Sequence, residues 1–401
     1  MTNIKEQLYT VYKEYIAINR IYPLIIDMLK PSQRMVLFAA YKLAGNKKVK
    51  AAKIVGEVIG TLWPHGDQTV YQTLVGLERK RLIRGYGAWG DWNYNTPAAA
   101  MRYTEAQLSD LSKKVLFHDK DELACIDWDL NYDGTVKVPL FLPSKIPLLF
   151  GVNSIGIEEF KSVNILPYDI KSVINYVLSI LNKKRAASLR KDIESISHNG
   201  GKVIVNKNVI KPHIDEDKNY YYIRGNTGKY NIYALIEKLS SMGLSVRNIS
   251  DKNDINIRVL KSNVNKETIE KLMSNKLSEN IWGIYKGKIC HYKNVKQLIG
   301  DWLEWRVGFI TKVMKYKISN INKEIKKYEI LMELKDKKIS LLSKYSNIIG
   351  DLTINRLNNL LKSDLKGTID NLKENKKVYR KFRDNPNKYI VKQLEELRGE
   401  V

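Results

Sequence analysis

The chain reads as a multidomain α+β protein, and three observations carry that expectation. Its 401 residues exceed the usual size of one hydrophobic core, so two or three domains are expected. Helical and alternating apolar patterns are interleaved up to about Lys296. A long proline-free amphipathic run then begins near Val295, and a second helical run follows Asn385-Pro386. Apolar residues make up 44% and charged residues 28%, the composition of a folded chain rather than a disordered one.

The first domain is expected over residues 1–165. Its segment KAAKIVGEVIG, from Lys50 to Gly60, has helical apolar spacing; TLWPHGD breaks it, and QTVYQTLVGLERK from Gln68 resumes it. RLIRGYGAWGDWNYN, rich in Gly and aromatics, suits a β-hairpin wing. The three parts predict a winged helix-turn-helix, whose second helix commonly lies in the major groove. AAAMRYTEAQLSDLSKKVL reads as a further helix, and NYDGTVKVPLFLPSKIPLLFGVNSIGI as loops and short strands.

Residues 166–295 mix helical stretches (IKSVINYVLSILNKK, YNIYALIEKLSSMG) with strand-like ones (GKVIVN, NYYYIRG, DINIRVL), which predicts a second, α/β domain. Residues 296–401 form the third. Leu303, Val307, Ile310, Met314, Ile321, Ile325 and Tyr328 recur at steps of three, four or seven, the stripe of one long amphipathic helix. Asn385-Pro386 supplies a cap and a first-turn proline for a helix with Ile390, Leu394 and Leu397 on one face. Two such helices predict an antiparallel coiled coil, with residues 345–380 as a small helical head.

Charge narrows the partners. The formal net charge of +25 exceeds what solubility requires and points to a polyanion, nucleic acid above all, because each Lys or Arg set against a phosphate releases condensed counterions. Cys125 and Cys290 have no zinc-site spacing, which fits a reducing compartment. No run approaches the ~20 apolar residues of a membrane span, and MTNIKEQLY lacks the apolar core of a signal peptide, so a cytoplasmic protein is expected.

Three segments in order, IIDMLKPSQR, KIVGEVIGTLWPHGD and AAAMRYTEAQL, resemble the signature of the gyrase A, topoisomerase IV A and phage topoisomerase family, the type IIA DNA-cleaving subunits. NYDGTVKVPLFLPSKIPLLF and VGFITKVMKYKI extend the resemblance over most of residues 15–345. It implies that the first domain is a winged-helix breakage-reunion domain, the second a tower domain, and the coiled-coil head a dimerisation gate. Tyr103 of MRYTE would then attack a DNA phosphodiester and form a 5′-phosphotyrosyl bond. Arg102 matches the arginine that supports the scissile phosphate, where a planar guanidinium can hold two oxygens as charge develops.

The resemblance assigns further residues. His65 matches the second histidine of an HPHGD-type element and would relay a proton or contact the phosphate; the first histidine is replaced by Trp63. Arg20 matches an arginine that reaches the scissile phosphate from the other protomer. Lys30 and Arg34 match basic residues of the LKPxxR element, and Lys50 and Lys53 are expected on the DNA backbone with them. Ile157 lines up with an isoleucine that wedges between base pairs and bends the duplex. Asp127 and Asp129 form a DxD that resembles a Mg²⁺ pair, but they read as structural, since the family's metal-binding carboxylates lie on a TOPRIM domain. No Walker A GxxxxGK[ST] element is present.

The resemblance therefore implies a homodimer that acts on double-stranded DNA with a separate ATPase/TOPRIM subunit, of one chain or two, holding both Mg²⁺ and ATP. The chain would be inactive alone. No sizeable segment follows the last helix, which suggests relaxation and decatenation rather than gyrase-type supercoiling. The short length and Lys/Ile/Asn-rich composition point to a phage version. Gln68 and Gln72 stand where quinolone-sensitive members carry a Ser and an acidic residue, so a weak quinolone response is expected. A non-catalytic winged-helix DNA-binding dimer would explain the charge and the coiled coil equally well, but not the Arg-Tyr pair beside HGD.

Overall fold

The structure is a computed structural model, and it describes residues 2–91, 94, 96–154, 160–191, 203–206, 209–251, 254–276, 278–337 and 359–401. Helix and strand are mixed throughout, as the α+β expectation requires, and the described residues divide into two compact units. The first comprises Met1–His118, Ile126–Trp302 and Leu397–Val401; the second comprises Asp119–Cys125 and Leu303–Glu396. Among the described residues no helix is long and apolar enough to cross a membrane.

The first unit opens with α1 (Thr2–Ile16), which runs into a π-helical turn, Ala17–Ile21. α2 (Pro31–Ala44) follows; Pro31 occupies the first turn, where its missing N–H is not needed, and Gln33 Oε1 accepts the Lys30 N–H at 3.1 Å. Residues Met35–Ala40 of α2 are all buried, so this helix is a central core element rather than an amphipathic one. β1 (Val49–Lys50) leads into α3 (Ala51–Glu57) and a second π-helical turn, Val58–Leu62, and then α4 (Asp67–Arg79). β2 (Ile83–Tyr86) and β3 (Glu105–Leu108) complete a three-stranded antiparallel sheet of order β1-β3-β2.

Two expectations change here. The wing expected within RLIRGYGAWGDWNYN takes its second strand from beyond that stretch. β2 takes its partner from residues 105–108, with Ile83 opposite Leu108 and Gly85 opposite Ala106. AAAMRYTEAQL is not a helix: Glu105–Leu108 is the central strand of the sheet, bonded on both edges. The alternation Glu-Ala-Gln-Leu, with Ala106 and Leu108 buried, outweighs the segment's helical propensity. Helix resumes only in α5 (Asp110–Val115), where the Ser109 hydroxyl caps the Ser112 N–H.

After α6 (Lys120–Ala124), which belongs to the second unit, come the hairpins β4–β5 (Trp128–Leu130, Lys137–Pro139) and β6–β7 (Phe150–Ser154, Val163–Pro167). α7 (Ile170–Leu181) is followed by β8 (Val203–Asn206), β9 (Val209–Pro212), β10 (Ile214–Glu216) and β11 (Tyr220–Ile223). α8 (Ile232–Ser241), β12 (Val246–Asn248), β13 (Ile257–Leu260) and α9 (Lys266–Met273) complete the α/β region. Its four-stranded sheet has the order β10-β11-β13-β12, and Ile223, Ile257 and Val259 on one face pack with Leu235 and Leu239 of α8 and Ile269 of α9. β14 (Asn275–Lys276) joins β9, while β15 (Ile281–Tyr285) and β16 (Lys288–Tyr292) form a hairpin.

The second unit is built on α10, a single helix over Val295–Lys337 that enters it at Leu303. Ile310, Met314, Ile321 and Ile325 are buried, as their spacing predicts. α11 (Leu365–Asp384) runs antiparallel to it: Leu365 packs with Ile330 and Leu331, Ile369 with Ile321 and Ile325, and Lys317 lies 5.5 Å from the Tyr379 ring. The returning limb thus starts at Leu365, within residues expected to form the head. α12 (Pro386–Glu400) begins at the predicted proline, and Ile390, Leu394 and Leu397 are buried. Residues 345–358 of the expected head lie outside the described residues.

Candidate active site

Tyr103 sits at the end of a turn, 64% exposed, while the next residue, Thr104, is fully buried. That contrast is produced by bonds on every side of the turn. The Tyr103 N–H closes it onto Ala100 O at 2.8 Å. The first N–H groups of α3, which lack partners inside their own helix, are satisfied by the turn: Ala51 donates to Thr104 O at 3.0 Å and Ala52 to Met101 O at 3.2 Å. On the other side Ala99 donates to Ala88 O at 3.0 Å. The Tyr71 hydroxyl of α4 donates to Ala99 O and lies 3.0 Å from the Thr104 hydroxyl. The turn is therefore braced by α3, α4 and the β2 side of the sheet together, with the phenol left in solvent.

Close packing supports the brace. Trp89 is buried, and its indole N–H donates to Tyr86 O at 3.1 Å. A Cβ on Gly85 would come within 2.6 Å of the Trp89 ring, so only glycine fits opposite Ala106 on β2.

The charges around the phenol are mainly cationic. The Arg102 guanidinium carbon lies 4.7 Å from the Tyr103 ring centroid, and Arg102 is exposed. Lys50 and Lys48 flank Glu105 at 3.6 and 3.2 Å; the hydrogen bond from Lys48, with the charges of both lysines, holds the Glu105 carboxyl below the usual range. Lys53 is exposed on α3. Tyr103, Arg102, Lys50 and Lys53 are thus gathered at one place, the junction of β1, α3 and the 101–104 turn.

The other expected residues lie elsewhere in the first unit. His65 precedes α4, with its ring stacked on Trp63 at 3.4 Å between centroids. Arg20 is exposed at the end of the first π-helical turn. Lys30 caps α2 and is half-buried, and burial pulls its ammonium below the ordinary lysine range. Among the described residues, no hydrogen bond, ion pair or ring contact joins His65, Arg20 or Lys30 to Tyr103. Gln68 and Gln72 are exposed on the first turns of α4. Ile157 lies outside the described residues.

Arg34 departs from the DNA contact expected of it. It is only 4% exposed, and its guanidinium is held by the fully buried Asp27, Nε to Oδ2 at 2.7 Å and Nη2 to Oδ1 at 3.0 Å. Asp27 also accepts the N–H groups of Leu29 and Leu142. The spacing of LKPSQR therefore builds an internal strut rather than a free cation.

Three residues that sequence reasoning passed over support the site. Tyr71 holds the Tyr103 turn, as described. Asn131, of NYDGT, is buried; its amide donates to Thr61 O at 2.6 Å, while its Oδ1 accepts from Thr135 and Val136, so it pins the turn that leads to His65. Lys80 ends α4, and burial, together with the charge of Lys30, lowers its ammonium to about 8. The Asn131 signal was readable as an Asn-x-Asp-Gly turn; Tyr71 and Lys80 carry no local signal, since their partners lie far away in sequence.

Comparison with known proteins decides the family. The family model for the A subunit of DNA gyrase/topoisomerase IV matches residues 20–397. The chain belongs to this family. Its relatives include the DNA gyrase A subunit of Thermotoga maritima, 30% identical over 326 residues, which is 73% of this chain and 39% of that protein. The DNA topoisomerase 4 A subunit of Pseudomonas aeruginosa is 28% identical over 358 residues, covering 77% of this chain and 46% of its own length. The DNA gyrase A subunit of Aeromonas salmonicida is 38% identical over 191 residues, 45% of this chain and 20% of that protein. The chain spans less than half the length of these gyrase and topoisomerase IV proteins.

Proposed function

We propose that the chain is the DNA breakage-reunion subunit of an ATP-dependent type II topoisomerase, with Tyr103 as its nucleophile. The observation that carries this is the Arg102-Tyr103 pair itself: a tyrosine held in solvent by a turn bonded to α3 and to Ala99 and braced by Tyr71, with a guanidinium against its ring. The Tyr103 oxygen would give up its proton and bond to a DNA phosphorus, and the 3′-oxygen would leave and take a proton, so that one phosphodiester replaces another. Arg102 would stabilise the phosphate as charge develops on it. Attack by the 3′-hydroxyl reverses the step.

The helix-turn-helix and three-stranded sheet, on this reading, are the winged-helix DNA-binding domain, the α/β region is the tower, and α10 with α11 is a coiled coil leading to a dimerisation gate. Two protomers would cut opposite strands, with Arg20 serving the partner's tyrosine. A catalytic Mg²⁺ does not fit the residues around Tyr103. The nearby carboxylate, Glu105, is neutralised by Lys48 and Lys50, and no group of three or more His, Cys, Asp or Glu suited to a metal occurs among the described residues. We assign Mg²⁺ and ATP to a separate ATPase/TOPRIM subunit; no step is routed through them here.

The test is to map the adduct. The chain, its partner subunit, Mg²⁺ and duplex DNA are denatured in mid-reaction and digested, and the peptides are read by mass spectrometry. A nucleotide 5′-phosphate on the Tyr103 peptide is the expected result. An adduct on another residue, or none, refutes the assignment and favours a non-catalytic DNA-binding dimer.

A further inference from the structure

The segment that presents His65 differs from the family's HPHGD-type element at one position, and the structure shows what the difference does. Trp63 replaces the first histidine, and its indole lies flat on the imidazole, with planes 16° from parallel. Side chains two residues apart in an extended segment point the same way. Trp63 is extended, at φ −158° and ψ 105°, so the stack is a local product of the sequence. The backbone beneath it is pinned: Trp63 N–H donates to Val58 O at 2.7 Å, Asn131 Nδ2 to Thr61 O at 2.6 Å, and the Tyr132 hydroxyl to Gly60 O at 3.3 Å.

His65 Nδ1 is buried without a hydrogen-bond partner among the described residues. A buried N–H with no acceptor is the rarer and more costly orphan, and a bare lone pair the more tolerable one. The proton of the neutral ring therefore belongs on Nε2. We propose that Trp63 is a positioning residue that locks the His65 ring with Nε2–H as its one working group, so that His65 donates to a DNA phosphate oxygen and does not take the Tyr103 proton. In this state Nε2 has no lone pair to offer the phenol. The inference rests on the breakage-reunion reading for its substrate, but the state of the ring can be read without it.

Two measurements test it. Nitrogen-15 correlation spectra of the full chain, labelled on its five histidines, identify His65 by the signal lost in His65→Gln. The expected pattern is protonation at Nε2 in the wild type and mixed tautomers in Trp63→Ala. Protonation at Nδ1, or an unchanged pattern in Trp63→Ala, overturns the proposal. In single-turnover cleavage with the partner subunit, His65→Gln, which keeps an N–H donor, should stay within ~10-fold of wild type, and His65→Ala should lose about 100-fold, as when one oxyanion donor is removed. Trp63→Ala should lose roughly 10-fold, and Trp63→Phe should restore it by keeping a flat ring. If Gln is as poor as Ala, His65 is a base and the proposal fails. If the wild type forms no Tyr103 adduct, the breakage reading fails instead, and the spectra still decide the ring.

Discussion

At the scale of single residues, burial separates cations open to a partner from cations that hold the fold in shape. Arg102 and Lys53 are exposed, whereas Arg34 is buried against Asp27. The pairing of Arg34 follows from one physical fact: a guanidinium out of water must be paired, and Asp27 with the Leu29 carbonyl holds it. Removing one partner strands the other charge, so Asp27→Asn should lower unfolding free energy by about 3–5 kcal/mol, read by denaturant titration. An unchanged midpoint would mean the strut is dispensable. Lys80 makes the opposite case, a half-buried cation beside another lysine, with its folded value lowered from 10.5 to about 8. Below about 8 the ammonium is charged in both states and opposes folding in full; as pH rises towards 10.5 only the unfolded chain stays protonated, and the penalty fades. Lys80→Met should therefore raise the melting temperature at pH 7, and the gain should shrink as pH climbs through that window. A gain that does not change with pH would contradict this role for burial.

At the scale of elements, what could be read from the sequence depended on whether the deciding contacts were local. The periodicities of α10 and α12 are local, and Ile310, Met314, Ile390 and Leu394 are buried where spacing puts them. The strand after Tyr103 is not local: Glu105–Leu108 has helix-forming residues and becomes a strand because β1 and β2 bond both its edges. Its strict alternation was the overlooked signal. The role of Glu122 was equally hidden, since α6 looks like a short surface helix. Its carboxylate is fully buried, bound by Arg306 of α10 at 2.7 and 3.0 Å and by the Gln393 amide of α12 at 2.9 Å. Nearby, burial pulls Lys317 down, but its bonds to Asp119 and Asp121 outweigh that and hold it above the ordinary lysine range. Glu122→Gln should destabilise the second unit by roughly 3–5 kcal/mol, because Arg306 is left charged in the core. A calorimetric trace indistinguishable from wild type would show that the three-element tie is not needed.

At the scale of the whole chain, the net charge of +25 and the family assignment meet in one behaviour. DNA binding should fall steeply with salt, by about a thousandfold between 50 and 200 mM if roughly six phosphates are neutralised. A salt-insensitive affinity would remove the electrostatic basis for binding. In the candidate site the motif itself picks out Arg102 and Tyr103 as candidates, whereas Tyr71, whose partners are distant in sequence, gives no local signal of the positioning it does. Everything proposed for the site depends on the phenol that this turn holds in solvent. The direct measurement mixes the chain with the proposed ATPase/TOPRIM subunit, Mg²⁺, ATP and supercoiled plasmid, traps with detergent, and counts protein-linked linear DNA for wild type and Tyr103→Phe. Trapped linear DNA is predicted for the wild type and none for the variant, with DNA binding retained; equal trapping by both would contradict a nucleophilic Tyr103.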